Sequence, residues 1–315
     1  MDARASTPRR SLRVAVAAVV LVAAAAGAWM VGVTVAERRA AGEDRPLAPI
    51  GHVHALTAPA WLGGDVLVGT HQGLLRWSDD AGWRAIGLHT HDFMGLAADP
   101  SRDGVLYGSG HPDLRSSLVN PLGLIVSEDG GRTWTARSLA GRSDFHAMAA
   151  TDEALWGWDV MRPAVIRSLD GGATWESGDD GALATVGMVF ALAADPASDA
   201  GVLASTGDGV WRTGGDGVWR PLAFTGSAVT AIHAASDAIW AYVAEPDAGL
   251  VRSVDAGATW QRVPLGLDAG VAVIAIVSDP SDGRRVFVAA TNGDLLRSVD
   301  GGATWEAIMR AAEPG

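Results

Sequence analysis

The chain has no cysteine and no lysine among its 315 residues, and only 2 tyrosines; all 24 of its basic residues are arginines. Without cysteine there is no thiol nucleophile, thiolate metal site, disulfide or iron–sulfur ligation. Without lysine there is no Schiff-base chemistry and no P-loop lysine to grip a phosphate. Positive charge is in deficit as well, since 36 Asp and Glu against 24 Arg leave a formal net charge of -12. Duplex nucleic acid requires a basic face, so no nucleic-acid partner is expected. What is abundant is glycine, at 40 residues, in a chain that is 48% hydrophobic but only 6% aromatic. Many short strands joined by tight turns suit that composition, and the length gives ample core.

One long apolar run is present. Residues 14–36, from Val14 to Ala36, carry no charge. As a helix they span roughly 34 Å, at about 1.5 Å per residue, enough to cross a bilayer core. Arg4, Arg9, Arg10 and Arg13 precede the run, opposed only by Asp2, and Glu37, Arg38 and Arg39 follow it. The positive-inside rule then places residues 1–13 in the cytoplasm, 14–36 as a single-pass anchor in the cell membrane, and the rest outside the cytoplasm. A cleaved signal is the rival reading, with Ala26-Gly27-Ala28 as small residues for cleavage and Arg9-Arg10 resembling a twin-arginine signal. Either way the remainder is extracytoplasmic. Residues 37–50 are polar, proline-bearing and aperiodic, which reads as a linker.

From there on the chain repeats itself. S-E-D-G-G-R-T-W (127–134), S-L-D-G-G-A-T-W (168–175), S-V-D-A-G-A-T-W (253–260) and S-V-D-G-G-A-T-W (298–305) are four copies of one motif. Weaker copies lie at 77–83 and 212–219, and the tryptophans Trp83, Trp134, Trp175, Trp219, Trp260 and Trp305 are spaced 51, 41, 44, 41 and 45 residues apart. A period of that length, with several short strands in each unit, marks a propeller or array. The S-x-D-x-G-x-T-W string resembles the Asp-box, or BNR, repeat of sialidases, sortilin-type receptors, propeller-type photosystem II assembly factors and bacterial proteins labelled glycosyl hydrolase or exo-sialidase. The resemblance covers about residues 50–310 and implies boxes at the outer edge of a propeller. Asp129, Asp170, Asp255 and Asp300 are accordingly expected to hold turns rather than to catalyse. The arginines before the boxes (Arg76, Arg167, Arg212, Arg252 and Arg297) recur with them and read as structural too.

Each unit divides into an apolar run such as H-V-H-A-L (52–56), a second such as V-L-V-G-T (66–70), a third that ends in the box and a fourth that starts at the tryptophan. The expected fold over 51–315 is therefore all-β: a six-bladed propeller of four-stranded blades, preceded by one transmembrane helix. A complete last blade, ending near Met309, makes closure by a shared blade unnecessary.

Histidine supplies the functional signal. Seven of the eight (His52, His54, His71, His89, His91, His111 and His146) lie between residues 52 and 146. Aligning the repeats puts His52, Asp92 and Asp144 at one position, at the start of the innermost strands, and His54, Met94 and His146 two residues later. Period-2 alternation predicts that these two positions share a face. His71 and His111 follow second strands, while His89 and His91 enter blade 2, so all seven should meet at one mouth of the channel. Imidazoles with carboxylates can hold zinc, copper or iron, and they can also move protons near neutral pH. The metal candidates are His52, His54, His71, His111 and His146, with His89, His91, Asp92 and Asp144 as ligand-binding residues. Met94 and Met188 would suit copper but more often pack; His233, alone in blade 5, reads as structural.

Three functional classes stay open. The first is a binding module for a metal or small ligand at the mouth, to which the reading leans. The second is an assembly factor with a protein partner. The third is an enzyme, either a glycoside hydrolase acting on a glycan or a metal-dependent hydrolase that uses the histidine cluster. Sialidase chemistry calls for a tyrosine nucleophile with a glutamate and an arginine triad. Here Tyr107 and Tyr242 sit in strand patterns, the Arg-Ile-Pro motif is missing, and Arg115 and Arg162 are the main non-repeat arginines near the mouth. Glu245 and Asp159 are the carboxylate pair that ordinary glycoside hydrolysis would use.

Overall fold

The computed structural model describes residues 52–178, 181–183, 187–244 and 249–310. The expected cytoplasmic segment, anchor and linker (1–13, 14–36 and 37–50) lie outside the described residues. Among the described residues no helix is long and apolar enough to cross a membrane.

Among the described residues twenty-four strands form six four-stranded antiparallel sheets, each a simple meander. The blades run Val53–Ile86, Asp92–Ser138, Phe145–Ser177, Val189–Ala223, Val229–Val263 and Val273–Met309. Innermost strands touch in cyclic order, with Val53–Thr57 of blade 1 meeting Val273–Asp279 of blade 6 to close the ring. The chain thus forms the six-bladed all-β propeller expected, and each blade is a contiguous piece of sequence. The second strands of blades 1, 3, 4 and 5 are buried along their whole length. They read as continuous apolar runs because both faces pack against neighbouring blades.

Six hydrophobic clusters fill the molecule, one at each blade-to-blade interface. Each contains the box tryptophan of the later blade: Trp134 lies between blades 1 and 2, Trp175 between 2 and 3, and Trp83 between 6 and 1. Some of these indoles also bond across the interface. Trp219 Nε1 donates to Gly178 O at 2.7 Å and Trp83 Nε1 to Ile308 O at 3.0 Å. The repeat's tryptophan therefore joins one blade to the previous one as well as anchoring its own turn.

The four strong repeats fold into the same turn. In the second of them Ser168 Oγ accepts from Gly172 N at 2.8 Å, while Asp170 accepts from Thr174 N at 2.9 Å and from Thr174 Oγ1 at 2.6 Å. These bonds, that from Thr174 foremost, hold the Asp170 carboxyl well below the usual range, and the equivalent bonds from Thr259 and Thr304 hold Asp255 and Asp300 at about 2. Such carboxylates are committed to the turn. The preceding arginines are committed as well: Arg167 pairs with Glu176 at 2.8 Å, and Arg212 with Asp195 at 2.7 Å. The guanidinium groups of Arg167, Arg252 and Arg297 also lie over Trp156, Trp240 and Trp77.

Every innermost strand carries a β-bulge at the same place. Pairing with the second strand skips His54, Met94, His146, Phe190, Thr230 and Ile274 in turn. A bulge leaves one residue unpaired and re-aims its side chain. The simple alternation that linked His52 to His54 is broken there, so what brings the histidines together is the bulge and not a period of two.

Candidate functional site

The bulged residues His54, His146, Phe190 and Ile274 line one small cavity of about 70 Å³ in the channel. Its floor is a ring of one apolar residue per blade: Leu56, Leu96, Met148, Leu192, Ile232 and Ile276. The same six residues form the roof of a wider cavity of about 460 Å³ at the far end. The channel is thus divided by an apolar septum, with His54 and His146 on one side and His233 beside the wider cavity on the other.

On that side the candidate residues separate into three groups. In the first, His54 Nε2 lies 3.2 Å from His71 Nε2, and His71 Nδ1 lies 2.8 Å from Asp92 Oδ1. That last contact lacks the alignment of a hydrogen bond, so Asp92 Oδ1 is buried and unsatisfied. One donor atom from each of His54, His71 and Asp92 lies within 4.8 Å of the others. His52 stacks edge-on against His71, with centroids 5.7 Å apart. Burial, then the positive charge His71 can carry, lowers the pKa of His54; His146 and His52 act in the same direction, and Asp92 opposes them. A depressed pKa keeps the imidazole neutral, the form that binds metal.

In the second group Asp144 stands between two rings, with His146 Nε2 at 3.0 Å and His111 Nε2 at 3.6 Å from its Oδ2. His111 Nδ1 reaches Asn120 Oδ1 at 2.8 Å. In the third, His91 is 1% exposed and its Nδ1 accepts from Asp113 N at 3.0 Å. Burial, followed by the positive charge that the stacked His89 can carry, pushes its pKa down to about 4. Asp113 also takes the Arg115 guanidinium at 2.6 Å and both Thr90 N and Thr90 Oγ1. His89 and His91 therefore belong to a braced loop beside the channel, and Arg115 is tied into it. Sequence reading missed Asn120 and Asp113, which belong to no repeat position. A polar residue in an otherwise unrepeated insertion was the only available signal.

The glycosidase candidates are placed differently. Asp159 is 1% exposed and accepts from Asp144 N and Met161 N, while Glu245 lies outside the described residues. Tyr107 is buried, and desolvation, then its bond to Asp99, pushes its pKa up to about 12, the opposite of an activated nucleophile. Tyr242 donates to Val271 O, and burial raises its pKa too. His233, as expected of a structural residue, bonds Ser278 Oγ at 2.8 Å.

No protein-family model matches the chain, nor does any curated protein sequence. Solved structures do resemble it. The GH74 enzyme of Niastella koreensis superposes with a TM-score of 0.61 at 16% identity over 84% of this chain. The GH74 xyloglucanase of Xanthomonas campestris does so at 0.57 and 19% identity over 84%. In each case the chain spans 46% of the length of the enzyme structure. YCF48 from Cyanidioschyzon merolae superposes at 0.54 with 17% identity, over 86% of this chain and 90% of its own. A structure of YCF48 bound to D1 peptide matches at 0.51 and 18% identity, over 84% of each chain. At such identities the likeness is one of fold.

Proposed function

We propose that this chain is an extracytoplasmic propeller, tethered by residues 14–36, that binds a divalent transition-metal ion at the mouth of its channel through His54, His71 and Asp92. The observation that carries the reading is the convergence of His54 Nε2 and His71 Nε2 at 3.2 Å beside the unsatisfied, buried Asp92 Oδ1. Two nitrogens bound to one tetrahedral ion at about 2.0–2.1 Å are separated by about 3.3 Å. An ion also neutralises the Asp92 carboxylate, whose buried Oδ1 accepts no hydrogen bond although His71 Nδ1 lies 2.8 Å away. Zinc, copper and iron all accept this mixed imidazole–carboxylate set.

The test is elemental analysis of tag-free protein, compared with His54→Ala/His71→Ala. Near-stoichiometric metal that disappears in the variant supports the reading; metal-free protein after refeeding with zinc, copper and iron overturns it.

A second reading, a docking site for a protein segment, is favoured by one feature. Met188 and Phe190 are 60% and 37% exposed on the blade 4 side of the same mouth. Exposed apolar side chains facing a polar, ligand-bearing half are suited to grip a peptide. The peptide-bound YCF48 structure shows that a propeller of related shape binds one. Glycoside hydrolysis has support only from likeness of fold, which is a weak warrant for chemistry.

A further inference from the structure

We propose that the rim of blades 2 and 3, at the histidine mouth, docks on the lipid bilayer through Leu114, Val119 and Met161, flanked by Arg115, Arg142 and Arg162. This rests on the reading of residues 14–36 as a membrane anchor and adds which face of the propeller meets that membrane.

Leu114 is the clearest sign. Its side chain is fully exposed, yet the turn that displays it is braced from several directions. Ser116 N donates to Asp113 O at 2.8 Å and closes the turn around Leu114 and Arg115. Asp113 N donates to His91 Nδ1, and the Asp113 carboxylate accepts from Thr90 N, Thr90 Oγ1 and Arg115 N. Arg115 Nη2 reaches Leu88 O at 3.0 Å. A loose loop would let its leucine fold back onto the protein. Here the backbone is held so that it cannot, which forgoes the gain of burying apolar surface unless another apolar phase covers the residue.

The neighbouring loops continue the surface. Val119 and Met161 are 56% and 58% exposed, in the loops that leave the second strands of blades 2 and 3. Both loops are stitched to residues 139–144, which join the two blades. Gly123 N donates to Ser143 O at 3.2 Å, Gly141 N to Pro121 O at 2.8 Å and Arg162 Nη2 to Ser143 Oγ at 3.1 Å. The three apolar side chains therefore stand on one connected platform. At the opposite end of the propeller the exposed Leu169, Val254 and Val299 lie in box turns, one to a blade. Scattered singly, they need no such explanation.

Charge on the platform has the sign that anionic headgroups attract. Asp113, Asp144 and Asp159, the carboxylates of residues 112–123, 139–144 and 159–163, are all buried. The side chains of Arg115 and Arg162 are 64% and 65% exposed, and Arg142 is exposed too. A chain of net charge -12 thus turns its arginines outward in this sector. Apolar tips flanked by arginine suit the boundary between headgroups and acyl chains, where both kinds of contact add.

The tether enters at the same end. The innermost strand of blade 1, Val53–Thr57, starts at the mouth and touches the innermost strand of blade 2. Residues 37–51 separate it from Ala36. Fully extended they reach at most about 50 Å, at roughly 3.3 Å per residue. The mouth is then the end of the propeller nearest a bilayer that holds residues 14–36.

The chain has no cysteine, so single probes can be placed in it without background labelling. Leu114→Cys and, at the opposite end, Val254→Cys are each labelled with bimane in the full chain. Each is reconstituted in vesicles of phosphatidylcholine and phosphatidylglycerol, with or without a nitroxide-bearing phospholipid. The nitroxide lipid is expected to remove most of the fluorescence at position 114 and little at 254, with the circular dichroism spectrum of both variants unchanged. Arg142→Glu/Arg162→Glu should restore much of the signal at 114; quenching that persists in full overturns the part assigned to the arginines. A chain released from the vesicles by alkaline carbonate ends the anchor reading and the docking with it. A retained chain whose probe at 114 is unquenched, or quenched no more than that at 254, overturns the docking and leaves the anchor standing. A blue-shifted probe at 114 that the nitroxide lipid does not quench overturns it in favour of a protein partner or a second copy.

Discussion

Across the first hairpin of blade 1, His54 Nε2 and His71 Nε2 face one another at 3.2 Å although 17 residues separate them in the chain. Only one proton fits between two such nitrogens, so each ring restricts the charge of the other. A metal ion removes that conflict. Added Zn²⁺ should therefore raise the melting temperature of the wild type, since an ion at 100 times its Kd stabilises by about 2.7 kcal/mol. His54→Ala/His71→Ala should melt near the metal-free wild type and respond far less to zinc. An equal zinc response in both proteins, followed by differential scanning fluorimetry, would place the ion elsewhere.

The repeat turns should respond to changes at their glycines in opposite directions. Gly172 has φ +83, and a Cβ there would stand 2.0 Å from Leu124 Cδ2. Gly172→Ala is expected to cost about 2–4 kcal/mol from clash and left-handed strain together. In the third turn Ala256 occupies the position where two other turns have Gly171 and Gly301, at φ 58. Ala256→Gly should relieve strain and raise stability by up to about 1 kcal/mol. Chemical denaturation of the two variants measures both signs.

Interface tryptophans should differ according to whether the indole N–H is used. Trp219 is 4% exposed and bonds Gly178 O across blades 3 and 4, whereas Trp305 Nε1 is buried without a partner. Trp219→Phe loses packing and strands a carbonyl, costing roughly 2–4 kcal/mol. Trp305→Phe should cost less, because no bond is lost. A larger loss at Trp305 in denaturant titration would contradict this account.

Acid should destabilise the fold through His233. Burial pushes its pKa down to about 4 from 6.5, so between those values the unfolded chain binds the proton and the folded chain does not. The stabilisation is therefore complete above pH 6.5 and is lost as pH falls towards 4. The full effect is at most about 3 kcal/mol, and smaller because the ring is not wholly shielded. His233→Gln, which keeps a donor for Ser278, should flatten the stability profile across that window. Denaturation midpoints at a series of pH values would show the change of slope.

The architecture was legible because it repeats. A turn that needs Gly in left-handed conformations, an Asp to bind its amides and a Trp to fill the next interface leaves the same letters every time. Four full copies of those letters and two weaker ones therefore set the blade number, the strand count and the structural role of residues such as Asp170 and Arg167. The clustering of histidines in blades 1–3 could also be read, since repeat alignment maps sequence position onto position around the ring.

What the letters did not contain was the partition of the site. A bulge of one residue in each inner strand turns His54 and His146 toward the channel, and no residue type announces a bulge. The pairing of Asp92 with His111 depends on strand register, and Asn120 joins His111 from an insertion outside the repeat. Burial of His91 and Asp159, which removes them from the open mouth, depends on how loops of different blades pack together. Local turn chemistry is encoded in contiguous residues and can be read from them. Which carboxylate faces which imidazole is set by contacts between distant segments, and only the folded ring decides that.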